Sequence, residues 1–266
     1  MKGAIIGDIV GSIYEFDNLK SKDFELFKPE CEFTDDTVLT VAVAEALLKF
    51  NPDDEENFKE NLIDIFHKYG ELYPDVGYGG HYLLWVEEKW RDPYNSCGNG
   101  SAMRTSAVGW YAKSIEECER LAKLCAEITH NHPDGIAGAQ ATAGVIFLAR
   151  NGASKDELKA YMEKYYPVDF TIDEIRPTYE YEIINKTTVP QAFQCFYEAT
   201  DFEDAIRNAI SIGGDSDTVA AIAGSMAEAF FGILEDIAET GTSYLDDYMS
   251  DIVEEFYKTY IETSHK

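Results

Sequence analysis

Apolar positions along this chain recur three and four residues apart almost from end to end, the spacing of helices. The most apolar run is Val219, Ile222, Ala223, Met226, Ala227, Phe230 and Phe231, inside residues 211–232. A second, residues 38–48, is almost wholly apolar. A helix that is apolar all round is one buried all round. Other segments carry a single apolar face: Phe58, Leu62, Ile65 and Phe66 in 57–69, and Ile115, Cys118, Leu121, Ala122 and Cys125 in 114–128. Residues 154–165, the stretch from Asp201 through Ile206 and Ile210, and an acidic tail over 244–261 read the same way. Residues 2–16 and 136–149 carry small residues (Gly3, Gly7, Gly11; Ala137, Gly138, Ala141, Gly144) that suit close helix packing. Pro190 marks a helix start running over 191–199. Residues 18–33, the glycine-rich turn at 75–85 and the stretch 167–190 read as irregular, the last flanking a cleft. No stretch alternates with period two. The pattern predicts an all-α fold: a compact orthogonal helical bundle of eight or more helices, a single domain over 1–266, with its site between helix ends.

The polar residues that open the two most apolar helices change the picture. Thr34, Asp35, Asp36 and Thr37 precede one; Gly213, Gly214, Asp215, Ser216, Asp217 and Thr218 precede the other. Either turn alone is explained as an N-terminal cap. Two such turns on two buried helices predict that the helix starts converge. Four buried carboxylates repel one another unless cations lie between them. An all-oxygen ligand set suits Mg²⁺, Mn²⁺ or Ca²⁺. Asp8 and Glu15, seven apart, share a helix face. They are either two acids at the rim of a core helix, or Glu15 enters the cleft as acid, base or ligand.

Further motifs point to an anion. Gly98, Asn99, Gly100, Ser101, Ala102 and Met103 form a small-residue loop opening a helix, whose backbone N–H groups could cradle a diphosphate. The loop is neither a dinucleotide fingerprint nor a P-loop. Arg104, beside it, pairs with a core acid or with a substrate phosphate. His130 and His132 form a His-x-His pair with no cysteine or third histidine near, which argues against zinc; His130 is expected to hydrogen-bond in the cleft. Tyr78, between Gly77 and Gly79, is either an interhelical residue or a ligand contact.

Bulk properties exclude several partners. With 22 basic and 50 acidic residues the net charge is −28, which disfavours nucleic acid and anionic membrane surfaces. Five cysteines without a C-x-x-C pair fit free thiols in a reducing cytosol. The first ten residues are interrupted by Asp8 and do not read as a signal peptide. The acidic run Asp53 to Glu56 is expected to cap the next helix and face water. A cytoplasmic monomer is the expectation.

Six pieces then occur in one order: G-D-x-x-G-x-x-x-E at 7–15, T-D-D-T at 34–37, G-Y-G at 77–79, G-N-G-S-A-M-R at 98–104, T-H-N-H-P at 129–133 and G-G-D-S-D-T at 213–218. Together they resemble the ADP-ribosylglycohydrolase family, the dinitrogenase-reductase-activating glycohydrolase-like ADP-ribosylhydrolases, over nearly the whole chain. The resemblance implies two Mg²⁺ or Mn²⁺ ions, held by Thr34, Asp35 and Asp36 from one side and by Asp215, Asp217 and Thr218 from the other. It implies catalytic roles for Glu15, Asp35 and Asp217. It places ADP-ribose or an ADP-ribosylated protein against Gly98, Asn99, Gly100, Ser101 and Met103, with Tyr78 and His130 nearby. Two departures are visible: Ser101 stands where Ala or Gly is common, and Gly232-Ile233-Leu234 lacks a proline often found there, which puts the local helix break in doubt. The implied activity is release of ADP-ribose from an acceptor; the strongly acidic charge and the lack of an obvious dedicated general acid beyond Glu15 and the metal ligands favour N-linked arginine. The competing readings are an ADP-ribose-binding or structural protein without turnover, and a two-metal phosphohydrolase.

Overall fold

The computed structural model describes residues 1–52 and 54–262. Fifteen α-helices occur among them, and no strand; one isolated bridge joins Gly98 and Ile184. In chain order they are α1 (Lys2–Gly11), α2 (Asp35–Leu48), α3 (Glu55–Leu72), α4 (Gly80–Glu87), α5 (Gly100–Met103), α6 (Ser106–Tyr111), α7 (Ile115–Glu127) and α8 (Pro133–Arg150). Then come α9 (Lys155–Met162), α10 (Ile172–Ile175), α11 (Asn185–Glu198), α12 (Phe202–Ile212), α13 (Ser216–Phe231), α14 (Glu235–Thr242) and α15 (Asp247–Phe256). The all-α expectation is met.

The two most apolar segments are the centre of the fold. Residues 36–47 of α2 and 216–228 of α13 are all buried. α13 packs on α1, α8, α11 and α12. The α1–α13 contact is nearly backbone to backbone, and the glycine stripe is its cause. A methyl group on Gly7 would sit 2.1 Å from the Ala220 carbonyl oxygen, and one on Gly11 would sit 2.4 Å from Asp217 Cα. Small residues on α1 therefore bring Asp8 and Asp217 to one place.

Helix ends are set by side chains the sequence supplies. Thr34, Asp54, Ser114, His132, Ser154, Thr171, Asp201 and Asp246 each accept a backbone N–H at an N-terminus. Asp54 thus caps α3 as expected of the acidic run, while Asp53 lies outside the described residues. α13 ends at Gly232, whose φ of 75° breaks the helix without the proline.

Four boundaries differ from the sequence reading. α1 stops at Gly11, and a short 3₁₀ turn, Ser12–Tyr14, follows; the Asn18 amide bonds the Tyr14 and Glu15 carbonyls and turns the chain. α4 begins inside the glycine-rich turn at Gly80, because Trp85 and Tyr82 are buried and Tyr82 donates to the Phe66 carbonyl. α11 begins at Asn185 and carries Pro190 inside, so the loss of one backbone donor is outweighed by burial of Val189, Ala192, Phe193 and Phe196. The tail helix, α15, begins at Asp247 and gives way to a π-helical turn, Tyr257–Ile261, while α14 lies ahead of the stretch read as the tail.

Candidate active site

The starts of α2 and α13 converge on a cleft of about 350 Å³. Glu15, Asp35, Asp36, Asp215, Asp217 and Thr218 line one end of it. Ser96, Gly98, Asn99, Gly100, Met103, Arg104 and His130 line the other, and His81, Tyr82, Tyr94, Tyr181 and Ile183 also contribute to the lining.

The acidic end is organised by Asp8, a residue the sequence reading left outside the site. Its carboxylate is fully buried and accepts three hydrogen bonds: from Thr34 N at 2.9 Å, Thr34 Oγ1 at 2.6 Å and Thr37 N at 3.0 Å. Asp8 therefore clamps the whole T-D-D-T turn. A signal was present, since an aspartate inside an otherwise apolar segment is costly to bury without donors. Thr34 gives its proton to Asp8, and its oxygen lies 3.5 Å from Asp217 Oδ2. Thr218 Oγ1 donates to Asp36 Oδ2 at 3.0 Å. Asn99 Nδ2 donates to Asp215 Oδ2 at 2.7 Å. Asp36 Oδ1 is buried with no hydrogen-bond partner.

Two trios of carboxylates result. Ligand oxygens of Asp8, Asp36 and Asp217 lie within 4.8 Å of one another, and so do those of Glu15, Asp215 and Asp217. Asp217 belongs to both. Asp35 lines the cleft but belongs to neither trio; its Oδ1 faces Gly77. These acidic clusters could bind metal. Burial pushes Asp8 up to about 6, against the pull of its Thr34 and Thr37 donors. Burial first, and neighbouring carboxylates second, hold Asp35, Asp36 and Asp217 well above the usual carboxylate range. Asp215 is raised by burial. Glu15 is raised by burial, opposed by a hydrogen bond from Tyr181 and reinforced by Asp215 and Asp8.

The glycine pair before Asp215 is required by geometry. Gly213 and Gly214 have φ of 69° and 79°, and a side chain on either would strike neighbours. Asn18 Oδ1 would lie 2.9 Å from a Gly213 methyl, and the Tyr179 ring 2.4 Å from one on Gly214. Asn18 also exchanges bonds with the Gly214 backbone, accepting its N–H and donating to its carbonyl. Since it holds the Glu15 carbonyl too, Asn18 ties the first and last motifs together. Nothing in its local sequence pattern gives this away.

At the other end, Asn185 pins the glycine loop. Its Nδ2 donates to the Gly98 carbonyl at 2.8 Å, to Ser101 Oγ at 2.9 Å and to the Asp134 carbonyl at 3.2 Å. Ser101, expected against substrate, is fully buried with its hydroxyl donating to the Gly135 carbonyl at 2.7 Å, so its side chain is absent from the cleft lining. Tyr78, also expected there, packs beneath on Tyr82 with ring centroids 4.6 Å apart and does not line the cleft. Gly98 N and Asn99 N are already bonded, to Ser96 Oγ and the Ile183 carbonyl.

His130 is buried, with Nδ1 2.8 Å from Thr129 Oγ1. That hydroxyl also accepts from Arg104 at 2.8 Å. Nε2 faces the backbone of Gly98 and Gly100. Burial first, and Arg104 second, keep His130 well below its ordinary value, hence neutral. Among the described residues Arg104 pairs with no core acid: it donates to the Cys125 carbonyl and Thr129, lies over the Phe66 ring, and lines the cleft with Nε and Nη1 unpartnered. His132 caps α8. Tyr94 and His81, which the sequence reading passed over, bring aromatic surface to this end; their rings lie 5.8 Å apart.

Residues 1–264 match the family model described as ADP-ribosylglycohydrolase. The chain belongs to that family. Curated relatives include the mouse ADP-ribosylhydrolase ARH3, 25% identical over 320 residues, covering 90% of this chain and 84% of the relative. Another is the ADP-ribosylarginine hydrolase Tri1 of Pseudomonas putida (strain GB-1), 26% identical over 259 residues, covering 87% of this chain and 69% of the relative. A solved ADP-ribosylglycohydrolase-related protein complex superposes with a TM-score of 0.71 at 21% identity, covering 97% of this chain and 95% of that one; this likeness shows the fold. No helix among the described residues is long and apolar enough to cross a membrane.

Proposed function

We propose that this protein is a metal-dependent hydrolase that releases ADP-ribose from a modified acceptor, with N-linked arginine as the favoured acceptor. The observation that carries the reading is the division of one cleft into two chemistries, a carboxylate cluster sharing Asp217 and a glycine-lined end with aromatic walls and the buried Arg104. ADP-ribose has matching parts: a distal ribose to be cleaved and a diphosphate with an adenine beyond it.

The donor set fits two hard divalent ions, Mg²⁺ or Mn²⁺. All the candidate ligands offer oxygen: Thr34, Asp35 and Asp36 from the start of α2, and Asp215, Asp217 and Thr218 from the turn and start of α13. The unpartnered Asp36 Oδ1 and the upward shift of every buried carboxylate here mark a site short of positive charge. Two bound ions would supply that charge and a grip on vicinal ribose hydroxyls.

The chain's own groups do the rest. His130 Nε2–H and the Gly100 and Ser101 amides donate to the diphosphate, and Tyr94 and His81 offer ring faces to the base. Glu15, beside Asp215 and Asp217, takes the proton from the water that attacks the anomeric carbon as the bond to the acceptor breaks through an oxocarbenium-like transition state. An arginine acceptor is a cation that leaves as a neutral guanidine, so the reaction needs no strong general acid. Beyond Glu15 and the proposed metal-holding carboxylates, we assign no group in the cleft to that role. The segments bearing Glu15 and Tyr181 also carry Asp17, Glu180 and Glu182, all exposed, which favours a cationic partner. The name of the Tri1 relatives gives ADP-ribosylarginine as their substrate.

The test compares ADP-ribose release from arginine-, serine- and DNA-linked ADP-ribose at low and high salt. Release of ADP-ribose, fastest from arginine and with an advantage that fades with salt, is expected. AMP plus ribose phosphate as products would point to a phosphohydrolase, and no release to a binding protein. Faster release from serine or DNA would remove the arginine choice and leave the hydrolase reading.

A further inference from the structure

Tyr181 lies outside every motif described above, yet its hydroxyl donates to Glu15 Oε1 at 2.8 Å. We propose that Tyr181 is a positioning residue that fixes the Glu15 carboxylate for hydrolysis; this rests on the hydrolase reading.

The segment that carries Tyr181 is anchored on both sides. Before it, Lys20 Nζ donates to the Tyr179 carbonyl at 2.6 Å, and Tyr179 Oη donates to the Thr187 carbonyl at 2.8 Å. After it, the Ile183 carbonyl accepts from Asn99 N at 2.9 Å, and Asn185 N donates to the Cys97 carbonyl at 3.1 Å. The segment also lies directly on the turn that presents Asp215, since a methyl on Gly214 would meet the Glu180 carbonyl oxygen at 2.9 Å. Tyr181 is thus built into both ends of the cleft. Its ring is held by Phe16, stacked at 6.1 Å with an interplanar angle of 23°.

Phe16 is the residue after Glu15 and is 86% exposed. A phenylalanine that open on a strongly acidic surface is poorly explained by burial; stacking on Tyr181 beside the base gives it a purpose. Glu15 needs such a brace. It is only partly buried, its side chain has three rotatable bonds, and the Asp215 and Asp217 carboxylates repel it. A general base must be within hydrogen-bond reach of the proton it takes. The hydroxyl of Tyr181 holds one carboxylate oxygen and leaves the other to face the cleft. No proton passes through Tyr181, which remains a donor throughout.

The experiment is steady-state hydrolysis of ADP-ribosyl-arginine by Tyr181→Phe, which keeps the ring and its stacking and removes only the hydroxyl. We expect kcat to fall about 10-fold or more with KM changed by less than about threefold, because the hydroxyl touches the base rather than the substrate. Glu15→Gln should lose far more, and adding Tyr181→Phe to it should lose no more. Phe16→Ala should lower kcat by a smaller factor. A kcat within about twofold of wild type for Tyr181→Phe, a change confined to KM, or losses that multiply in the double variant would overturn the role. A second readout is the ¹³C carboxyl resonance of Glu15, assigned by its disappearance in Glu15→Gln. It should move in Tyr181→Phe, and an unmoved resonance overturns the contact. A wild type inert on every acceptor overturns the hydrolase reading and this role with it, whereas an active wild type with an unaltered variant overturns this role alone.

Discussion

The two ends of the cleft use the same building block, a helix start, in opposite ways. At the acidic end, α2 and α13 begin with the chain's own carboxylates, buried against one another and against Asp8. At the other end the loop into α5 carries no carboxylate: it has glycines, a buried amide from Asn185, a histidine held neutral and the buried Arg104. One end is crowded with negative charge and, in the proposed function, takes cations; the other offers donors and would take an anion. The difference teaches that a helix start does not fix a ligand. What the chain places on its first turn decides which sign of charge is missing.

The comparison breaks most completely at Asp217, the carboxylate common to both trios. Asp217→Asn keeps the shape and the acceptor oxygen for the Thr218 N–H while removing one negative charge from both trios. Turnover should fall by about 10³ or more, and calorimetric Mg²⁺ binding should be lost, while the helical circular dichroism is kept. Unchanged Mg²⁺ affinity would remove the shared carboxylate from the account. The paired change Asp35→Asn with Asp215→Asn should also abolish Mg²⁺ binding, and sharpens whether Asp35, outside both trios, acts as a ligand.

The same contrast separates what the sequence discloses from what it hides. Thr34 to Thr37 and Gly213 to Thr218 are legible because costly residue types stand before apolar helices. The glycine stripe of α1 is legible because its period matches a helix. The supports are not: Asn18 and Asn185 act through contacts 196 and 87 residues away along the chain, and a polar residue in a loop carries no mark of such a partner. Pro190 misleads for a related reason. Local chemistry says that a helix starts there, whereas the helix is already running and its buried face decides the matter. Ser101 and Tyr78 show the complementary limit, since a motif names residues without saying which way their side chains turn.

A smaller effect is expected at the neutral end. Asn185→Ala removes two donated bonds from the glycine loop and a third from the Asp134 carbonyl, and should cost about 1–3 kcal/mol of stability through acceptors left unpaired. If the loop holds the diphosphate, KM should rise by about tenfold with kcat affected less, the reverse of the Asp217 pattern. A fall in kcat at constant KM would mean that the two ends are not separate in function.

The smallest effect, and the one that tests the electrostatic contrast directly, is the pH dependence of Mg²⁺ stabilisation. A carboxylate whose folded value is raised, such as Asp8 near 6, favours the folded state while protonated and withdraws that contribution as pH rises from the ordinary range near 4 through the raised value. Asp35, Asp36 and Asp217 extend this loss to higher pH. His130 and His67 act in the opposite sense, because their lowered values remove stability as pH falls below the ordinary histidine range. A simple melting curve against pH mixes the two. The difference in Tm with and without Mg²⁺ does not, since the histidines cancel. Protons and Mg²⁺ compete for the same oxygens, so the Mg²⁺-induced gain in Tm should grow steadily from pH 5.5 to 7.5, by a few degrees in all for a stabilisation of about 1 kcal/mol. In Asp217→Asn the gain should be near zero across the range. A gain that is flat or shrinks with pH would show that the cations bind somewhere other than the buried carboxylates at the starts of α2 and α13.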